Sequence, residues 1–228
     1  MTKSKKENQD NNAEALENAL TRTEQYIENN QKSLTIIVLA IVLIVGAFLG
    51  YKRLYVAPME KDAQSQIFAA EQYFERDSFN LALYGDGNYL GFIDIIDNYS
   101  STKVGNLAHY YAGISYRGLG EYKEAINHLQ RFSTSDRMIG SMAYGAIGDC
   151  FVQLDDLKQG AEYYEKAAKY GENEFSSPMY FMKAGLLYEE LEKYNEALKA
   201  YETIKSDYSD SAEGREIEKY ITRVNLAL

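Results

Sequence analysis

Three glycines, Gly113, Gly148 and Gly185, stand at matching places in three stretches of helical periodicity, each followed six residues later by a leucine: Leu119, Leu154 and Leu191. Glycine inside a helix costs about 1 kcal/mol against alanine, so three in register ask for a packing reason. Units counted from Asn106, Ser141 and Pro178 share more than the glycine. The fourth positions are His109, Tyr144 and Phe181; the seventh Ala112, Ile147 and Ala184; the eleventh Tyr116, Phe151 and Tyr188. After a turn come Tyr122, Leu157 and Tyr194, then Ala125, Gly160 and Ala197, then Leu129, Tyr164 and Tyr201. The pattern describes a helical hairpin whose helices cross closely at the eighth and twentieth positions. The large residues at the fourth, eleventh and twenty-fourth positions fill the space between hairpins. Such a unit buries its apolar face only against the next copy, so the chain is expected to be an array.

Composition agrees with an all-α array and narrows what it can bind. Only Pro58 and Pro178 interrupt 228 residues, and 46% hydrophobic residues with 21 tyrosines suffice for a core. A net charge of -10, with no face rich in Lys and Arg, argues against nucleic acid, whose phosphates need a concentrated positive surface. The single cysteine, Cys150, rules out an intrachain disulfide framework and reads as a buried helix residue.

Residues 34–51, LTIIVLAIVLIVGAFLGY, carry no charge, and as a helix they extend roughly 27 Å, close to the thickness of a hydrocarbon core. They read as one transmembrane helix. A cleaved signal peptide fits less well, because the run is long, starts late and lacks a small-residue exit. Tyr51 and Tyr55 suit the interface, and Gly46 with Gly50 form a small-residue pair that allows a helix-helix contact or merely faces lipid. The preceding tail, 1–33, is polar with an amphipathic stripe at Ala13, Leu16, Leu20, Thr23 and Ile27, suited either to a solvated tail or to a helix docked on a membrane or partner. Lys52, Arg53 and Lys61 on the domain side oppose Arg22, Lys32, Lys3, Lys5 and Lys6 in the tail. Long domains translocate with little regard to charge, which favours an inside tail and an outside domain.

Beyond Pro58, Met59 to Arg76 reads as a helix, and YGDGN separates it from YLGFIDIIDNY. The repeat pattern resembles the tetratricopeptide repeat, with that family's small residues at Gly113, Gly148, Gly185, Ala125 and Ala197. The family's usual tryptophan is replaced by His109, Tyr144 and Phe181, and its loop proline is missing. The resemblance implies a tetratricopeptide-like α-solenoid over 59–228. It divides into a degenerate unit 59–99, repeats 106–139, 141–174 and 178–211, and a C-terminal capping helix 211–228. A capping box at Asp210 and Glu213 would open that helix, and Ile217, Ile221, Val224 and Leu228 form its stripe. The resemblance also implies a concave face lined from the first helix of each unit: Leu107, Tyr110, Ile114 and Arg117; Met142, Gly145, Asp149 and Val152; Met179, Met182, Leu186 and Glu189. The family's carboxylate clamp needs Lys and Asn at the fifth and ninth positions, where this chain has Tyr110, Ile114, Gly145, Asp149, Met182 and Leu186. An adaptable apolar groove is expected instead, open to a protein partner or filled by the closing helix or a neighbouring turn.

Polar tail, single span and repeats together are similar to the membrane-anchored ancillary subunits of the bacterial Sec translocon. That likeness implies a single-pass inner-membrane protein with its repeats in the periplasm. It would bind translocon subunits, chaperones or secreted client chains, with lipid around the span and no cofactor. A structural subunit of an envelope complex, or a receptor with cytoplasmic repeats, fits the same outline. Catalysis is not expected. His109 and His128, one cysteine and no phosphate loop leave no nucleophile or metal site. The carboxylates at Asp155, Asp156, Glu189, Glu190, Glu213, Glu216 and Glu218 read as solvated.

Overall fold

The computed structural model of the protein describes residues 29–228, and every regular element within them is helical. The amphipathic stripe of the tail lies outside the described residues. The chain divides into two units, Met1–Val56 and Ala57–Leu228.

In the first unit the uncharged run forms α1, Gln31–Tyr51, followed by a π-helical turn, Lys52–Val56. α1 is long and apolar enough to cross a membrane, a property that signal sequences share. Tyr51 and Tyr55 stack with ring centroids 5.4 Å apart. A Cβ at Gly46 or Gly50 would meet no heavy atom within 4 Å, so that surface is open.

The second unit begins with α2 (Ala57–Phe74), α3 (Phe79–Tyr84) and α4 (Phe92–Tyr99). Three hairpins follow: α5 (Lys103–Gly118) with α6 (Tyr122–Arg131), α7 (Arg137–Gln153) with α8 (Leu157–Gly171), and α9 (Ser177–Glu190) with α10 (Tyr194–Asp207). α11 (Ala212–Ala227) closes the array. From α4 onward each helix packs on the next, and the first helices of successive units also touch, α5 with α7 and α9 with α11. This is a helical solenoid.

Local chemistry places the helix ends. Thr102 and Asp156 accept from the amides of Gly105 and Gln159, and Asp136 accepts from Met138 and Ile139, which satisfies donors that a helix N-terminus leaves open. The capping box expected at Asp210 and Glu213 does not form. Ser211 is the cap instead, accepting from the amide of Gly214. Between the helices of each hairpin one residue takes positive φ: Gly120 at 80°, Asp155 at 61° and Glu192 at 57°. The next amide closes the turn, with Glu121, Asp156 and Lys193 donating to the carbonyls of Tyr116, Phe151 and Tyr188 at 2.9, 2.9 and 2.8 Å. The same geometry recurs at Asp77, φ 54°, where Ser78 donates to Tyr73 at 2.9 Å. Non-glycine residues resist this conformation by roughly 1 to 2 kcal/mol, so the turn is imposed by packing of the helices it joins. α2 and α3 are thus connected as the later hairpins are.

The glycines sit where the second helix lies closest. A Cβ at Gly113 would fall 2.5 Å from Leu129 Cγ, at Gly148 2.7 Å from Tyr164 Cδ1, and at Gly185 2.3 Å from Tyr201 Cε1. At Gly148 it would also stand 3.3 Å from the carbonyl of Gly160, so the eighth and twentieth positions do meet. The twenty-fourth side chain therefore packs within its own hairpin, across the glycine, rather than only between hairpins. Leu119 and Leu154 are exposed beside the turns, and Leu228 is exposed while Ile217, Ile221 and Val224 of the same stripe are buried. Terminal and turn positions have no neighbour stacked over them.

Replacing Gly148 by Leu should destabilise the domain by about 1 to 3 kcal/mol through overpacking against Tyr164, whereas exposed Lys158→Gln should change stability by less than about 0.5 kcal/mol. Thermal denaturation followed by circular dichroism compares them; equal melting temperatures would contradict a close crossing at Gly148.

Candidate protein-binding surface

The first helices α5, α7 and α9 carry every residue expected on the inner face, and their environments differ. Met142 and Leu186 are exposed, at 47% and 41%. Leu107, Tyr110, Ile114, Val152, Met179 and Met182 are half-buried. Tyr110 lies against Phe132, centroids 5.3 Å apart, while Met179 and Met182 pack on the core of the last two hairpins. Gly145 is buried beneath Tyr180, whose hydroxyl oxygen would stand 2.2 Å from an added Cβ.

The charged members are not free. Asp149 accepts from Arg117 Nη1 at 3.0 Å, from Tyr164 Oη at 2.7 Å and from Lys183 Nζ at 2.9 Å. This one carboxylate ties α5, α7, α8 and α9 together. Glu189, expected to be solvated, accepts from Tyr201 Oη at 2.5 Å and takes two bonds from the Arg223 guanidinium at 2.8 and 2.7 Å. That forked pairing joins α9 to α11 with directional charge-assisted bonds. Lys183 also lies over the Tyr164 ring, 4.8 Å from its centroid, and Tyr164 stacks on Tyr180 at 6.2 Å. Burial and the bond to Asp149 push the Tyr164 phenol far above its usual range, and burial with the bond to Glu189 does the same to Tyr201. Both remain protonated donors.

Along the inner face the signs run Arg117, Asp149, Lys183, then Glu189, Arg223. Of the residues expected there from sequence, the structure brings Arg117 and Asp149 into contact. It adds Tyr164, Tyr180, Lys183, Tyr201 and Arg223, which sequence reasoning missed. A signal existed: a tyrosine laid across a glycine must send its hydroxyl past that backbone to an acceptor, and Asp149 follows Gly148 directly.

Elsewhere, His109 and His128 oppose each other with Nδ1 atoms 3.1 Å apart between α5 and α6. Burial, with the neighbouring His128 and Arg131, holds His109 down at about 4. Burial pushes the Cys150 thiol up to about 11, so it stays a protonated core residue. Among the described residues no group of three or more His, Cys, Asp or Glu is placed to hold a metal ion. A cleft of about 260 Å³ between α8, α9 and α10 is lined by residues including Lys169, Phe181 and Tyr208. Another, of about 370 Å³, is lined by residues including Phe132, Tyr144 and Tyr170. Neither contains a residue expected on the inner face.

A family model of the tetratricopeptide repeat matches residues 107–135 and 180–211. These two stretches are similar to tetratricopeptide repeats, a family that serves as a scaffold for protein–protein interaction. No curated protein matches the chain. The matched stretches cover α5–α6 and α9–α10, and the hairpin between them, α7–α8, shares their turn and glycine crossing.

Asp149→Ala should lower stability by about 1 to 3 kcal/mol, towards the lower end because the carboxylate is partly solvated. It strands Arg117, Lys183 and Tyr164 at once. Tyr164→Phe added to it should cost less than Tyr164→Phe alone, a non-additivity read from a double-mutant cycle of denaturation midpoints. Strict additivity would remove Asp149 from its central place.

Proposed function

We propose that the chain is a membrane-anchored protein-binding adaptor, with α1 spanning the bacterial inner membrane and the repeats in the periplasm. In this role it is an ancillary component of protein translocation or of chaperone handover. The observation that carries the binding half is the pair of tetratricopeptide repeats at 107–135 and 180–211, together with Met142 and Leu186 left open on their first helices and on the helix between. Translocon subunits, chaperones or secreted chains would be held through extended or helical apolar segments. Thioether side chains are flexible and polarizable, so Met142, Met179 and Met182 can repack around different sequences. The carboxylates of Asp149 and Glu189 are already paired with Arg117, Lys183 and Arg223, which favours segments of low charge between the open apolar positions. The translocation half is supported by the similarity of the whole outline, polar tail, span and repeats, to the Sec ancillary subunits.

Photo-crosslinkers at Met142 and Leu186 should capture partners in cells, and Met182→Glu with Leu186→Glu should abolish capture from Met142 while helicity is kept. Capture from Lys166 on α8, with none from Met142 or Leu186, would move binding to the opposite face. Topology is tested separately. Lys158→Cys, exposed near the turn at Asp155, should react with an impermeant maleimide in intact spheroplasts, against little background from buried Cys150. Labelling only after lysis would place the repeats in the cytoplasm.

A further inference from the structure

One edge of the solenoid is a continuous line of helix starts. Glu60, in the first turn of α2, accepts from the amide of Lys103 at the start of α5, at 2.6 Å. Asn106 of α5 exchanges bonds with Ser133, donating to its carbonyl at 2.8 Å and accepting from its amide at 3.0 Å. Arg137, opening α7, pairs with Glu172 at 3.0 Å, and Tyr170 donates to the carbonyl of Thr134. Ser141 lies 3.5 Å from Ser176 before α9. The starts of α2, α5, α7 and α9 therefore share this edge, and the turns at Asp77, Gly120, Asp155 and Glu192 lie at the other ends of those helices.

The edge carries large apolar side chains open to solvent. Phe175 is 86% exposed and Met138 60%, at equivalent places three residues before their units, and Ile139 beside Met138 is exposed as well. Phe175 is not left out by a loose loop. The Asn173 side chain accepts from the amides of Phe175 and Ser176 at 2.9 and 2.7 Å and donates to Ser176 Oγ at 2.8 Å, so the loop holds the ring outward. The first turn of α2, which in sequence follows directly on the π-helical turn Lys52–Val56, also lies on this edge.

We propose that this edge lies on the membrane surface, with Phe175, Met138 and Ile139 seated at the boundary between headgroups and acyl chains. The proposal rests on reading α1 as a membrane span, and not on which partner the inner face binds. Aromatic and aliphatic side chains on an otherwise polar surface are suited to that boundary. The charges nearby decide the lipid: Glu60, Asp136, Glu172 and Glu174 outnumber Lys103 and Arg137, so attraction to anionic headgroups does not hold the edge. Apolar insertion does, and it is expected in zwitterionic bilayers and at high salt.

The chain contains no tryptophan, so Phe175→Trp in the full chain supplies a single reporter. In phosphatidylcholine vesicles containing acyl-brominated lipid, its emission should be blue-shifted and quenched, at low and high salt alike. Leu154→Trp, beside the opposite turns, should emit as in water without quenching. Met138→Trp repeats the test independently of the Phe175 loop. Water-like, unquenched emission from both edge reporters, in vesicles that retain the chain through alkaline extraction, would overturn the proposal. Blue-shifted but unquenched emission would overturn it too, by showing that protein rather than lipid covers the edge. Loss of the chain on alkaline extraction would remove the span and the proposal together, leaving the adaptor reading to its crosslinking test.

Discussion

The fold depends on the crossing of a glycine by the twenty-fourth side chain of its own hairpin. Removing a Cβ at Gly113, Gly148 or Gly185 admits Leu129, Tyr164 or Tyr201 into space that any larger residue would occupy. The helix-propensity penalty of about 1 kcal/mol is set against burial of a whole large side chain, worth roughly 1.5 to 3 kcal/mol, so the exchange is favourable in each unit. The same approach brings the second helix near enough for the positive-φ turn to close with its amide bonded back to the first helix.

Tyrosine in two of these places links packing to polarity. Leu129 ends in methyl groups, whereas Tyr164 and Tyr201 carry hydroxyls through the crossing to Asp149 and Glu189 on the inner face. Those carboxylates then hold cations from neighbouring units, Arg117 and Lys183 on one, Arg223 on the other. These partly solvated pairs contribute modestly each, but their directional bonds favour one stagger of each first helix against the next. A sliding of one unit would separate them. The apolar core could tolerate such a slip more readily, because contact between alanines and aromatic rings is not directional.

The repeat register was legible because it is written in residue size at fixed spacing, and the uncharged run because length and composition suffice. Neither required knowing how units meet. The inner-face pairs were illegible for that reason: Arg117, Asp149 and Lys183 lie on three different helices, and their meeting depends on the stagger between units. The turns were hidden differently. Gly120 announces a positive-φ residue, but Asp77, Asp155 and Glu192 do the same work without a glycine, since tertiary packing overrides the local preference. α3 escaped notice because Phe79–Tyr84 is too short for a period to show. The expected cap at Asp210 missed by one residue, a neighbouring serine having the better aim at Gly214.

An inner face crossed by its own ion pairs differs from an apolar trough in what it asks of a partner. Arg117 and Lys183 share the Asp149 carboxylate, so an approaching carboxylate would have to compete with an ion already bonded to them and with the Tyr164 hydroxyl. An apolar segment has no such competition, and it covers Met142 and Leu186 without breaking a bond. In the proposed adaptor role, selectivity would come from what the face refuses. Charged ligands gain little there because its charges are occupied, and the chain's net charge of -10 repels acidic ones at longer range. The one surplus positive charge is shared by Arg117 and Lys183 across Asp149, whereas Arg223 is matched by Glu189.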